Sequence, residues 1–334
     1  MSSLPSRRKF LQTSSVALAA SQLPLGVRAA EAEGGKLAKD GGTRAVRGKA
    51  GARVRWGDAE KAQLAAAVDQ PSLFYWAGGK PNRQTALFIE RFKEYCPREY
   101  VATCSSGTAA LHIAVAAAGI GPGDEVITTP ISDIGTIAGI LFQQGVPVFA
   151  DLGASTYNLD PQAVERAVTP RTKAIIAVHL AGNPCDLTAL RAIADRHKLV
   201  LIEDCAQAWG ARYQGRTVGA VGHVGCYSLM DSKHIGTGDG GVVTSSDPRI
   251  GPALLKFSDK GGDRLDPKNS YATTSVLATN YRMSELQAGF GAAQLLRLEA
   301  IAAKRAALGR LLVEGISGLP AIMPPTVAKD DRSS

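Results

Sequence analysis

The chain has no apolar run long enough to cross a bilayer as a helix, which takes about 20 residues. It has only five cysteines in 334 residues (Cys96, Cys104, Cys185, Cys205 and Cys226), and none of their spacings fits a zinc-ligand pattern. Their odd count and scatter give no disulfide framework, and four of them lie in or beside apolar strands or turns, where buried thiols sit. Internal repeats and low-complexity tracts are absent, so solenoid, fibrous and disordered classes fall away. Most of the chain also lacks net basic charge. Residues 1–55 hold eleven Lys/Arg against three Asp/Glu and so carry the whole formal +8. The neutral remainder has no electrostatic footprint for nucleic acid. What remains is an ordinary globular composition, 45% hydrophobic and 20% charged, on a chain long enough for one large core with additions.

The basic N-terminus has its own pattern. Ser6-Arg7-Arg8-Lys9-Phe10-Leu11-Gln12 is a twin-arginine signature, and the modest apolar segments Val16–Ala20 and Leu23–Val27 follow it. They end in Val27-Arg28-Ala29, a small-x-small cleavage pattern. The expectation is a signal peptide over 1–29, a mature chain from about Ala30, and a periplasmic or extracytoplasmic location reached with only transient membrane contact. Residues 30–55, rich in Gly, Lys and Arg without periodicity, read as linker.

Beyond Trp56 the pattern alternates. Tyr100–Cys104, Val126–Thr129, Val146–Ala150 and Ala174–His179 read as strands, with helices at Ala109–Ala118, Ile134–Gln144, Pro161–Ala167 and Leu187–Arg196. Helical character also marks Asp58–Val68 and Gln84–Tyr95. Alternation at this spacing predicts an α/β fold, a largely parallel sheet covered on both faces.

Chemistry gathers between Leu199 and Val243. The apolar run Leu199–Ile202 predicts a buried strand ending in Glu203-Asp204, and Val224–Met230 a second strand followed by Ser232-Lys233 and a Gly-dense segment. Open α/β sheets place ligands at the carboxyl ends of their strands. A lone lysine there can carry an aldehyde cofactor as a Schiff base, with the carboxylate paired to a protonated ring nitrogen. Equally, such an Asp can be a helix cap and such a Lys merely solvated. Upstream, Tyr100–Cys104, Ser105-Ser106-Gly107-Thr108 and the next helix form a strand–turn–helix that offers backbone N–H groups and a positive helix end to an anion. A plain helix cap at Ser106 reads equally well. His179 ends a strand at the same edge, and a satisfied structural histidine is the simpler reading of it.

The words IEDCAQAWG and, about twenty residues on, YSLMDSKHIGTGDGG resemble the DegT/DnrJ/EryC1/StrS family of sugar aminotransferases. So do SGTAAL at Ser106–Leu111 and NYRMSELQ at Asn280–Gln287, and the resemblance covers roughly Trp56 to Pro325. It implies a pyridoxal 5'-phosphate enzyme of fold type I with a mostly parallel seven-stranded sheet. Lys233 would carry the cofactor, Asp204 would meet the ring nitrogen and Gln207 the ring hydroxyl. Ser106, Gly107, Thr108 and Ser228 would hold the phosphate, and Asn280 would reach the phosphate of a neighbouring subunit, making a homodimer with shared sites. The implied reaction moves an amino group from an amino acid, glutamate or glutamine, to a keto-sugar or cyclitol ketone. Other readings are sugar dehydration, against which the presence of Lys233 argues, and an exported ligand-binding or sensory protein that keeps the fold.

Two features depart from the family pattern. Asp133-Ile134 stands where many members place an aromatic that stacks on the ring. Full members also continue into a small C-terminal αβ domain, so the expected layout is a cofactor domain over 56–283, one long connecting helix over 284–315, and in 316–334 a truncated start of that domain or a tail. Phe74–Gly79 resembles the family's glycine-containing loop near the active site, or is an aromatic cover on the core edge.

Overall fold

The computed structural model describes residues 55–266, 274–319 and 322–334; the twin-arginine segment and nearly all of the linker lie outside these. The elements run α1 (Asp58–Val68), β1 (Trp76–Ala77), β2 (Lys80–Pro81), α2 (Arg83–Tyr95), β3 (Tyr100–Cys104), α3 (Gly107–Ala117) and β4 (Glu125–Thr128). They continue with α4 (Gly135–Phe142), β5 (Val146–Phe149), α5 (Pro161–Ala167), β6 (Thr172–Val178), α6 (Leu187–His197), β7 (Val200–Asp204), β8 (Arg212–Tyr213) and β9 (Arg216–Thr217). The last are β10 (Val224–Ser228), β11 (Gly241–Ser245), α7 (Gly251–Ser258), α8 (Glu285–Leu295) and α9 (Leu298–Ile316).

A seven-stranded sheet in the order β3-β11-β10-β7-β6-β4-β5 organises them. Every neighbouring pair from β10 to β5 is parallel, while β11 runs antiparallel to both β10 and β3. Both faces are buried, as a sheet built from crossovers requires. On β6, Ile175 and Ala177 join the core that also holds Phe88, Phe92, Leu190 and Trp209, whereas Ala174, Ile176 and Val178 join the core under α3. Burial of each Ile or Val side chain among them contributes about 1.5–3 kcal/mol. Among the described residues no helix is long and apolar enough to cross a membrane.

The structure corrects one expectation and adds two features that the sequence reading did not contain. Strand β11 and helix α7 have no counterpart in the sequence reading, because glycines before Val242 hide a five-residue strand buried on both faces. The helix expected over 284–315 is two helices, broken at Leu296-Arg297. Helix α8 is buried nearly all round and α9 only along Leu298, Ala302 and Ala306, and at the break Arg297 turns to bond Glu60 and the Arg55 carbonyl. Residues 322–334 do not hang free: Arg332 bridges Arg212 through the backbone, pairs with Glu299, and bonds the Gly210 carbonyl.

Candidate active site

The site sits at the carboxyl ends of β7 and β10. Register puts Asp204 opposite Val178 and Cys226, at the last paired position of three parallel strands. Just beyond, the chain closes a tight loop: Leu229 N–H bonds the Gly240 carbonyl at 2.7 Å and Lys233 N–H the Met230 carbonyl at 2.9 Å. That loop brings Lys233 back toward Asp204. Trp209, fully buried, fastens the first motif to the second, its indole N–H donating to the Ser228 carbonyl at 2.7 Å.

A cavity of about 240 Å³ results. Its walls include Ser106, Gly107, Thr108, Asp204, Gln207, Ser228 and Lys233, so seven of the eight residues read from sequence converge. Asn280 is not among them; it is exposed, on the far side of a bridge to Asp259.

Asp204 is the deepest of the group, at 4% exposure. Its Oδ2 accepts from the Thr136 hydroxyl at 2.8 Å and its Oδ1 from the Ala206 N–H at 3.1 Å. Burial pushes its carboxyl above the ordinary value, against those two donors and the charge of Lys233. A buried carboxylate in that condition gains most from one more cation. Lys233 is half-buried, and among the described residues its ammonium has no hydrogen bond or ion pair. Gln207 has its Oε1 engaged by the Ala181 N–H at 2.9 Å, which leaves its N–H groups to donate.

The phosphate-cradle candidate is equally specific. Ser106 caps α3 by accepting from the Ala109 N–H at 3.0 Å, so the capping role read from sequence is real. The N–H groups of Gly107 and Thr108 stay without acceptors among the described residues, at the positive end of an eleven-residue helix. Only glycine fits at 107: a Cβ there would lie 2.6 Å from the Ser228 Cβ. Gly241 is pressed the same way, with an added Cβ 2.2 Å from the Ser106 carbonyl oxygen.

These features fit pyridoxal phosphate: free N–H groups for a phosphate, a buried carboxylate for a pyridinium, an unengaged amine for an aldehyde. Among the described residues no aromatic lines the cavity; Leu111, Ala206 and Met230 supply aliphatic contact there.

Sequence reasoning missed Thr136, which orients Asp204 and takes a bond from Ser132 at 2.7 Å. The Phe74–Gly79 stretch does not reach the cavity either; Trp76-Ala77 pairs with Lys80-Pro81, and its rings cover Arg264. His179 is a satisfied core residue. Its Nδ1 accepts the Cys185 N–H at 3.1 Å and its Nε2 faces Glu203 at 3.1 Å. Glu203 in turn takes N–H groups from Gly219, Val221 and Gly222. With Cys205 these two make a close trio of potential metal donors, but the ring nitrogens and the carboxylate already serve in hydrogen bonds. All five cysteines are free and buried. Burial pushes Cys96 up to about 11 and Cys104 and Cys205 up to about 12, which keeps them thiols.

Comparison with known proteins agrees with this geometry. GDP-perosamine synthase of Caulobacter vibrioides is 39% identical over 66% of this chain and 59% of its own length. A putative L-glutamine:3-amino-2,3-dideoxy-scyllo-inosose aminotransferase of Streptomyces kanamyceticus is 38% identical over 75% and 59%. The chain thus spans about three fifths of the length of these curated relatives. The crystal structure of NtdA from Bacillus subtilis with bound cofactor PMP superposes with a TM-score of 0.72 at 27% identity, covering 81% of this chain and 60% of that one. The model of the DegT/DnrJ/EryC1/StrS aminotransferase family matches residues 59–334, and the chain belongs to that family.

Proposed function

We propose that this chain is a pyridoxal-phosphate aminotransferase that moves an amino group from glutamate or glutamine to a keto-sugar, free or nucleotide-linked, or a cyclitol ketone. One observation carries the reading: Asp204, Lys233 and the unpaired N–H groups of Gly107 and Thr108 share one cavity. The named activities of the perosamine and scyllo-inosose relatives support the substrate class.

Bound there, pyridoxal phosphate supplies an electrophilic carbonyl carbon and a ring that accepts an electron pair. The chain's own residues do the rest. The helix end with Ser106, Gly107, Thr108 and Ser228 grips the phosphate and fixes the register of everything else. Asp204, oriented by Thr136, holds positive charge on the ring nitrogen. Gln207 donates to the ring oxygen. Lys233 would hold the aldehyde carbon and would serve as the base that moves a proton between the donor carbon and the cofactor carbon. Leu111 and Ala206, which line the cavity, would limit water there.

The active form is proposed to be a homodimer in which Asn280 completes the partner's phosphate site. Exposed apolar side chains near that segment, Leu277, Phe142 and Leu141, support a covered face there. Export through the twin-arginine route is proposed from Ser6–Gln12, with folding around the cofactor first.

The test is incubation with pyridoxal phosphate, glutamine or glutamate, and a panel of keto-sugars and cyclitol ketones, with aminated products read by mass. Cofactor uptake without any amino transfer would replace catalysis by a ligand-binding role.

A further inference from the structure

Asn280 lies outside its own chain's cavity, yet the segment carrying it is braced far more heavily than exposed loops ordinarily are. Asp259 is the centre of that brace. Its carboxylate has no exposure and accepts from the Tyr75 hydroxyl at 2.7 Å, from Arg264 Nε at 2.6 Å, and from Arg282. Burial acts to raise this carboxyl, and the hydroxyl with the two guanidinium groups holds it below its ordinary value. Arg264 lies 5.6 Å from the ring centres of Phe74 and Tyr75 and 6.0 Å from Trp76, and Arg282 lies 5.4 Å from Phe74.

All three residues of Asn280-Tyr281-Arg282 are tied down. Asn280 pairs with Asp259 in a backbone bridge, flanked by Lys260 N–H to the Thr279 carbonyl at 3.0 Å and Tyr281 N–H to the Ser258 carbonyl at 3.1 Å. The Tyr281 hydroxyl bonds His112 at 2.8 Å, on the helix whose other end faces the cavity. Arg282 reaches Asp259 itself. Asn280 turns its Oδ1 inward to the Arg282 N–H at 3.3 Å, and its amide N–H groups have no acceptor among the described residues. A donor on a segment braced this firmly, with no acceptor among the described residues, is pre-organised for a group from elsewhere.

We propose that Asp259 is a positioning residue. By fixing residues 280–282, with Arg282 over the Phe74 ring, it aims the Asn280 amide at the cofactor phosphate of a second copy of this chain. This rests on the cofactor and dimer readings above and adds to them the element that makes the shared site rigid. It also gives the Phe74-Tyr75-Trp76 cluster a role toward the neighbour's site.

The test reads cofactor loading as pyridoxal phosphate fixed by borohydride to Lys233 at limiting cofactor, and pairing of chains by sedimentation. Asp259→Asn and Asn280→Ala should each load at least about tenfold more weakly than the parent. Either variant is then co-expressed in equal amount with Lys233→Ala, which cannot load but has an intact brace. About half of the Lys233-bearing chains then face an intact Asn280 from the partner and should load at parental affinity. Recovery by subunit mixing is something a defect confined to one chain's own fold cannot give. Asp259→Asn loading within about twofold of the parent overturns the proposal. So does weak loading that Lys233→Ala rescues for Asn280→Ala but not for Asp259→Asn. If Asp259→Asn does not fold, Tyr75→Phe and Arg282→Gln each remove one donor and enter the same mixtures, where loading near the parent or weak loading without rescue again overturns the proposal. If Asn280→Ala itself loads normally, the shared-site reading fails, and a parent that takes up no cofactor overturns the cofactor reading beneath it.

Discussion

At the scale of single residues, the proposed chemistry rests on a buried carboxylate and an unengaged amine. Asp204→Asn keeps the shape and loses the charge that holds a proton on the ring nitrogen. Preorganised electrostatic contacts of this kind contribute about 3 kcal/mol or more to a transition state. Single-turnover conversion of the pyridoxal form to pyridoxamine phosphate, with donor in excess, should therefore slow by at least about a hundredfold. A rate within about threefold of the parent would reduce Asp204 to a strand-end cap. For Lys233 the expected result is a yellow protein that bleaches with borohydride and adds the cofactor's mass to the Lys233 peptide; label on any other peptide refutes the assignment. Both residues were legible in the sequence because each sits inside a contiguous motif. Thr136 was not, since its hydroxyl reaches Asp204 from 68 positions away.

Two elements hold the site in place, and each can be perturbed alone. At the start of α3, Gly107→Ala would force a Cβ to 2.6 Å from the Ser228 Cβ and push the helix end away from β10. The expected outcome is cofactor affinity lower by about tenfold or more, measured by equilibrium titration. Fold stability should change far less. Beneath β7 the Glu203 carboxylate ties β7 to residues 219–222. Glu203→Gln would place an amide N–H₂ against backbone N–H donors, at a cost of about 3 kcal/mol. Burial acts to raise the Glu203 carboxyl, but His179 and the N–H groups of Gly219 and Gly222 hold it below the ordinary 4.5. Its contribution is therefore complete above that value and is lost as pH falls through the lower folded value. In urea unfolding, the gap between parent and Glu203→Gln should be full at pH 7 and shrink below about pH 4. A gap that does not change with pH would show that Glu203 acts by shape alone.

For the whole molecule, one cavity gathers at the carboxyl edge of the sheet, and the exposed Asn280 lies outside it. Leu277 at 97% exposure and Phe142 at 66% are unfavourable to leave in water, and a second copy would cover them. Sedimentation should find at least a dimer, tightened by pyridoxal phosphate. A monomer with full cofactor occupancy would separate Asn280 from the site.

The sequence by itself determined the parallel α/β plan and the sheet's ligand-binding edge, and left Lys233 and Asp204 as candidates there; the roles of Gln207 and of the Ser106–Thr108 turn came with the family resemblance. Those signals are local: apolar runs of strand length, glycines at fixed spacing, polar residues at the ends of runs. Only the tertiary structure decided what is made by distant contacts. Strand β11 looks like a glycine loop until pairing with β10 and β3 makes it a strand. The long helical pattern breaks at Leu296-Arg297, where Arg297 meets Glu60 from far away in the chain. Phe74-Tyr75-Trp76 covers Arg264 and Asp259 rather than the cofactor cavity, since packing partners are chosen in space and the residue pattern records only which side chains need one.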